Sequence, residues 1–74
     1  MEVSMTQEPV LDGYLGREVV VFIDGHDIAG EFAGYDQWSY CIKLYEELVT
    51  INRRAVDMIM PVAIWERIKE ERND

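Results

Sequence analysis

The run Val19-Val20-Val21-Phe22-Ile23 constrains this chain more than any other feature. Five consecutive β-branched or aromatic residues leave no polar face for a helix, so the segment reads as a strand buried on both sides. It is also far too short to cross a membrane as a helix. A strand of this kind needs neighbours, and the residues after it supply them in short pieces. Asp24-Gly25 is a strong hairpin signal. Ile28 to Tyr35 resumes as a strand, with Gly30 and Gly34 marking sharp bends or close backbone approach. Asp36-Gln37 breaks it, Trp38 to Leu44 forms a third strand, and Tyr45-Glu46-Glu47 turns the chain. Leu48 to Ile51 is the fourth strand, Asn52-Arg53-Arg54 a polar interruption, and Ala55 to Met60 a fifth.

Helical signals flank these strands. Residues 1–5 read as a disordered N-terminus, and Thr6 as an N-cap with Gln7, Glu8 and Pro9 in the first turn. Val10, Leu11, Tyr14 and Leu15 then form one apolar stripe; Gly13 weakens the helix and Gly16 is placed to end it. Pro61 suits the first turn of a C-terminal amphipathic helix over 62–74, with Val62, Trp65, Ile68 and Lys69 on one face. The expected fold is mainly β with terminal helices. Residues 6–61 form a strongly bent, five-stranded antiparallel small barrel, SH3-like or OB-like, behind an N-terminal helix.

Seventy-four residues hold one small domain. A lone core of this size offsets the entropy of ordering the chain only narrowly, so completion of the core by self-association is expected. A single cysteine, Cys41, excludes an internal disulfide framework and multi-cysteine metal sites. The start Met1-Glu2-Val3-Ser4 does not resemble a signal peptide, and a cytoplasmic location with no membrane partner is the expectation. Fifteen acidic against seven basic residues give a net charge of −8. That balance disfavours general binding to nucleic acid, so any nucleic-acid site must be local, with its bases clustered.

Little catalytic chemistry is available. His26, in Asp24-Gly25-His26-Asp27, reads either as a metal ligand with its flanking aspartates or as part of an exposed turn; zinc needs three or four converging ligands. Cys41 lies mid-strand and reads as a small buried hydrophobe, the alternative being a reactive thiol. Glu46-Glu47 reads as a solvated turn. With no nucleophile–base pairing and no phosphate-cradling glycine loop, the chain is read as a non-enzyme without cofactor.

Two stretches carry binding chemistry. Gly34-Tyr35-Asp36-Gln37-Trp38 delivers an acid, an amide and a large aromatic to a loop, where the aromatic can stack on a base and the amide can read its edge. The alternative places Trp38 in the core, with Asp36 capping a turn. Asn52-Arg53-Arg54 sets two arginines side by side, and both can reach one site only if the segment is a turn.

Taken together and in order, these stretches resemble the Sm-like superfamily, and within it most closely the bacterial Hfq RNA chaperones. Gln7-Glu8-Pro9-Val10-Leu11 is similar to the Gln-Asp-Pro-Phe-Leu opening of that family's N-terminal helix. Ile23-Asp24-Gly25 with Ile28-Ala29-Gly30 is similar to its first hairpin, and Phe32 to Trp38 to its Phe-Asp-Gln-Phe element. Asn52-Arg53-Arg54-Ala55-Val56, closing at Met60-Pro61, corresponds to Tyr-Lys-His-Ala-Ile and a final Val-Pro. The resemblance spans residues 7–61.

It implies a homo-oligomeric ring, a homohexamer or alternatively a heptamer, in which the fifth strand of one subunit pairs with the fourth of the next. It further implies that short U-rich single-stranded RNA binds on the helix-bearing (proximal) face through Gln7, Gln37, Trp38, Arg53 and Arg54. Trp38 would stack on a base, the glutamines read its edge, and the arginines hold phosphate or base oxygens, while Asp36 orders the loop backbone. Where the family has a lysine on the opposite face, this chain has Asp27. The alternative is an Sm-fold ring that has lost RNA binding and acts as a structural or protein-interaction module, with Trp65 and Ile68 docking on a neighbour or partner.

Overall fold

The computed structural model describes residues 8–72; the expectations for residues 1–5, Thr6 and Gln7 lie outside them. The elements are α1 (Pro9–Asp12), β1 (Glu18–Ile23), β2 (His26–Tyr35), β3 (Ser39–Leu44), β4 (Glu47–Asn52), a 3₁₀ turn (Arg53–Ala55), β5 (Met58–Pro61) and α2 (Val62–Arg72). The strands form one open antiparallel sheet in the order β4-β3-β2-β1-β5. β1 lies between β2 and β5, so its backbone is paired on both sides.

Its apolar run behaves as the composition demands. Val19, Val20 and Val21 are all buried. Val19 and Val21 join Leu11, Phe32, Tyr40, Ile42 and Ile51 in the core. Alternation sends Phe22 to the other face, where Trp65 of α2 meets its ring edge-on at 5.0 Å. Trp65 and Ile68 are half-buried against their own chain, and Lys69 lies over the Trp65 ring. Phe32 is the aromatic centre of the core: Tyr14, Tyr35 and Tyr40 surround it at 5.9–6.1 Å between centroids.

Two of the three hairpins, β1–β2 and β3–β4, close through two-residue turns with positive φ at each position: Asp24 (51°) with Gly25 (84°), and Tyr45 (51°) with Glu46 (70°). This is the type I′ pattern, whose twist matches the flanking strands. In β2 a register shift between Phe32 and Gly34 marks a bulge, and at Gly30 the backbones of β2 and β3 run so close that a Cβ would sit 2.6 Å from the Lys43 carbonyl oxygen.

β1, β2 and β4 run one or two residues beyond the sequence reading, and Pro61 pairs with Val19 as the last residue of β5 rather than opening the C-terminal helix; three further differences have a local cause or context. α1 is a single turn with Glu8 at its N-cap; of its stripe only Leu11 is buried, while Val10 and Leu15 are exposed. β3 begins at Ser39, because the Trp38 N–H is taken by a side chain. β5 begins at Met58 rather than Ala55, because Asn52 Oδ1 accepts from the Arg54 N–H (2.9 Å) and folds Arg53–Ala55 into the 3₁₀ turn. Among the described residues no helix is long and apolar enough to cross a membrane.

Candidate nucleic-acid interface

The loop after β2 is built around one carboxylate. Asp36 Oδ1 accepts from the backbone N–H groups of Trp38 (2.8 Å) and Ser39 (2.7 Å), and the Asp36 N–H donates to the Ser39 carbonyl (2.9 Å). This Asx-type arrangement replaces ladder hydrogen bonds and releases the Trp38 side chain from the sheet. Trp38 is 67% exposed, so the core placement of this residue fails. Gln37 beside it is exposed as well.

The 3₁₀ turn after β4 is stitched to that loop. The Arg53 N–H donates to the Trp38 carbonyl (2.9 Å), and Arg53 Nη1 donates to the Asp36 carbonyl (3.0 Å). The turn meets the condition set for adjacent arginines: Arg53 and Arg54 are not on opposite faces of a strand. Arg54 is exposed. Gln37, Trp38, Arg53 and Arg54 thus gather at one end of the sheet, where β2 ends and β4 leaves it. Gln7 lies outside the described residues.

Arg53 itself is engaged. Nη1 and Nη2 donate to the two carboxylate oxygens of Glu8 at 2.6 and 2.9 Å, a bidentate pair, and its guanidinium carbon lies 4.9 Å from the centroid of the Tyr40 ring. The Glu8 hydrogen bonds hold Arg53 above its ordinary pKa, and the guanidinium in turn holds the Glu8 carboxyl below its own. Glu8 makes no side-chain cap to α1, since its carboxylate is spent on Arg53. Its backbone N–H instead donates to Tyr35 Oη (3.0 Å), while the Tyr35 hydroxyl donates to Asp12 Oδ1 (2.6 Å). That donation to a carboxylate raises the Tyr35 pKa.

Glu8, Asp12, Tyr35 and Tyr40 are therefore organisers of the site that no local sequence signal assigns. Glu8 and Arg53 stand 45 residues apart; only their opposite charge and the scarcity of basic residues hint at a pairing. Three carboxylates (Glu8, Asp12, Asp36) belong to this network, with Glu8 directly on Arg53. Each carboxylate accepts a hydrogen bond from a named partner in this network.

Other candidate positions lie elsewhere. His26 and Asp27 open β2 at the far end of the sheet, both exposed. There Glu18, Asp27, Glu31, Lys43 and Leu44 help line a cleft of about 700 Å³. Among the described residues no group of three or more His, Cys, Asp or Glu converges as a metal site. Cys41 is only half-buried, because its neighbours Tyr40 and Ile42 take the core side of β3 and alternation turns it the other way. No protein-family model matches this chain, and neither does any curated protein sequence.

Proposed function

We propose that this chain is an Sm-like RNA-binding protein of the Hfq type, assembling into a ring and holding short U-rich single strands against the Asp36–Trp38 loop and the Arg53–Arg54 turn. The observation that carries the reading is Trp38. A large aromatic two-thirds exposed on a loop, with its backbone hydrogen-bonded to a two-arginine turn, is a stacking platform beside a cation. Gln37 supplies an amide for a base edge, and Arg54 a solvent-facing guanidinium for phosphate.

Two features support the ring and the bent sheet. β4 and β5 are the sheet's edges, each with one strand neighbour, and they carry the exposed apolar residues Leu48 and Val49 on one and Met58 on the other. Pairing the β4 edge of one copy with the β5 edge of the next covers both and closes a cycle. The bulge in β2 and the close approach at Gly30 are the devices by which such a sheet curves.

Native mass spectrometry with hexauridylate, followed by affinity titration of Trp38→Ala, tests the proposal. A six- or seven-subunit ring carrying RNA is expected, with affinity reduced about tenfold by loss of one stacked base and falling as salt is added. Unchanged affinity in Trp38→Ala overturns the site, and a stable monomer overturns the ring. A ring that binds no RNA leaves the structural or protein-interaction module, which the neutralised Arg53 favours.

A further inference from the structure

The pair Glu8–Arg53 is costly for a phosphate-binding site and conspicuous for that reason. A guanidinium fork engages carboxylate and phosphate in the same bidentate geometry, and here both fork nitrogens are filled by Glu8 at 2.6 and 2.9 Å. The rest of the arginine does not depend on Glu8. The Asp36 carbonyl (3.0 Å) and the Tyr40 ring (4.9 Å) hold the guanidinium from the loop and the core side. If the carboxylate swings away, the fork stays aimed at the place it left. Nor is the pair sealed: the side chains are 24% and 34% exposed, so an incoming anion can reach it, and an ion pair this open exchanges readily.

We propose that Glu8 is a built-in anionic competitor, whose carboxylate occupies the Arg53 fork until a phosphate of the bound strand takes its place. This rests on the RNA-binding reading above and gives it a threshold. Arg54 and Trp38 make the first contact, and only a ligand that presents a phosphate at the fork displaces Glu8. Displacement moves the carboxylate alone, because the Glu8 backbone stays tied to Tyr35 Oη (3.0 Å) and to the Asp12 N–H (2.9 Å).

The test measures binding of two probes, hexauridylate and inorganic pyrophosphate, to the full chain and to Glu8→Gln and Glu8→Asp, each also in an Arg53→Gln background. Glu8→Asp keeps the charge but shortens the arm, which separates release of the fork from a change in net charge. Both single variants are expected to bind both probes about fivefold more tightly, as for removal of one exposed ion-pair competitor. Their salt dependence for hexauridylate is expected to match the parent's, since the same phosphate fills the fork in the bound state of each, while Arg53→Gln is expected to flatten it by about 0.7 in log–log slope, one phosphate fewer neutralised on a single strand. The gain must vanish in the Arg53→Gln background.

A gain that persists there is long-range electrostatics and overturns the proposal, as does reduced affinity in a variant whose thermal melt matches the parent, which makes the pair a strut. Failure to bind pyrophosphate in every variant overturns it too. The two readings separate cleanly: an Arg53-dependent gain for pyrophosphate without hexauridylate binding keeps the competitor and removes the RNA, while Trp38-dependent hexauridylate binding indifferent to Glu8 does the reverse.

Discussion

Gly30→Ala is the sharpest structural test of how β2 meets β3. A Cβ there sits 2.6 Å from the Lys43 carbonyl oxygen, 2.6 Å from Ile42 Cγ2 and 2.7 Å from Leu44 Cδ2. Restoring ordinary contact near 3.5 Å requires the strands to part by roughly 0.9 Å. Ile42 is fully buried and cannot swing aside, and the carbonyl belongs to the backbone of β3. Overpacking of this kind costs about 1–3 kcal/mol, with the backbone clash placing it near the top. The stiffer unfolded chain returns about 0.4–1 kcal/mol. The net loss is about 2 kcal/mol, a sizeable part of the roughly 4–11 kcal/mol expected for a chain this long. Thermal melts followed by circular dichroism, at matched protomer concentration, should show Tm lower by about 8–16 °C. Gly34→Ala is the control: no atom lies within 4 Å of its Cβ position, so its melt should match or slightly exceed the parent. A Gly30→Ala melt within about 3 °C of the parent refutes the close approach.

The turn Tyr45-Glu46 holds two non-glycine residues at positive φ, and Tyr45 is 97% exposed, so its ring contributes no packing. Replacing the pair by Asn-Gly should stabilise the chain by about 1 kcal/mol, read as a Tm rise near 5 °C. Trp65→Ala removes the edge-to-face contact with Phe22 and should cost about 2 kcal/mol in urea titrations, less than a fully buried tryptophan because Trp65 is half-buried. The Glu8 carboxyl is held below its ordinary value of 4.5 by Arg53. Its contribution is fully present above that value and is lost as pH falls through the lower folded pKa; Tm measured against pH should show this acid loss in the parent and not in Glu8→Gln. Tyr35, raised by its bond to Asp12, acts at the other end. Its contribution is intact below the ordinary value of 10.0 and is lost as pH climbs beyond it, a slope that Tyr35→Phe should remove.

What was legible in the sequence was what short-range periodicity encodes. The doubly buried run at Val19–Ile23, the Asp24-Gly25 turn and the succession of five strands along the chain follow from residue type over windows of a few residues, whereas the return of β5 to pair with β1, in place of the expected meander order, does not. Boundaries failed where a side chain competed with the ladder. Asp36 captured the Trp38 N–H and Asn52 captured the Arg54 N–H, and each displaced a strand start by one to three residues. Cys41 was misread because its apolar neighbours suggested burial, whereas alternation with Tyr40 and Ile42 decides its face. Of the candidate site, the loop and the turn could be named from their residue types. Their joining through Arg53, and the hold of Glu8 on it from 45 residues away, depend on tertiary placement that no local pattern carries.

The edges bear most directly on assembly. Soluble sheets usually blunt an exposed edge with lysine, proline or a bulge. β4 has none of these: it reads Glu47-Leu48-Val49-Thr50-Ile51-Asn52, with Leu48 65% exposed. β5 carries a single proline, Pro61, at its very end, and leaves Met58 in solvent. Its preceding arm, Asn52 to Asp57, is held in place by the bond from the Asp57 N–H to the Phe22 carbonyl, so the strand cannot fold over to cap β4 in its own chain. In the proposed ring these two edges, unable to meet within the chain, meet between chains. The same contact would answer the shortage of core that 74 residues impose. A proline at Thr50, which sits opposite Cys41 in a non-hydrogen-bonded pair so that its N–H faces the free edge of β4, should therefore lower the subunit number seen by sedimentation more than it lowers the far-UV signal; loss of both together would mean that β4 is needed for the fold and not for its assembly.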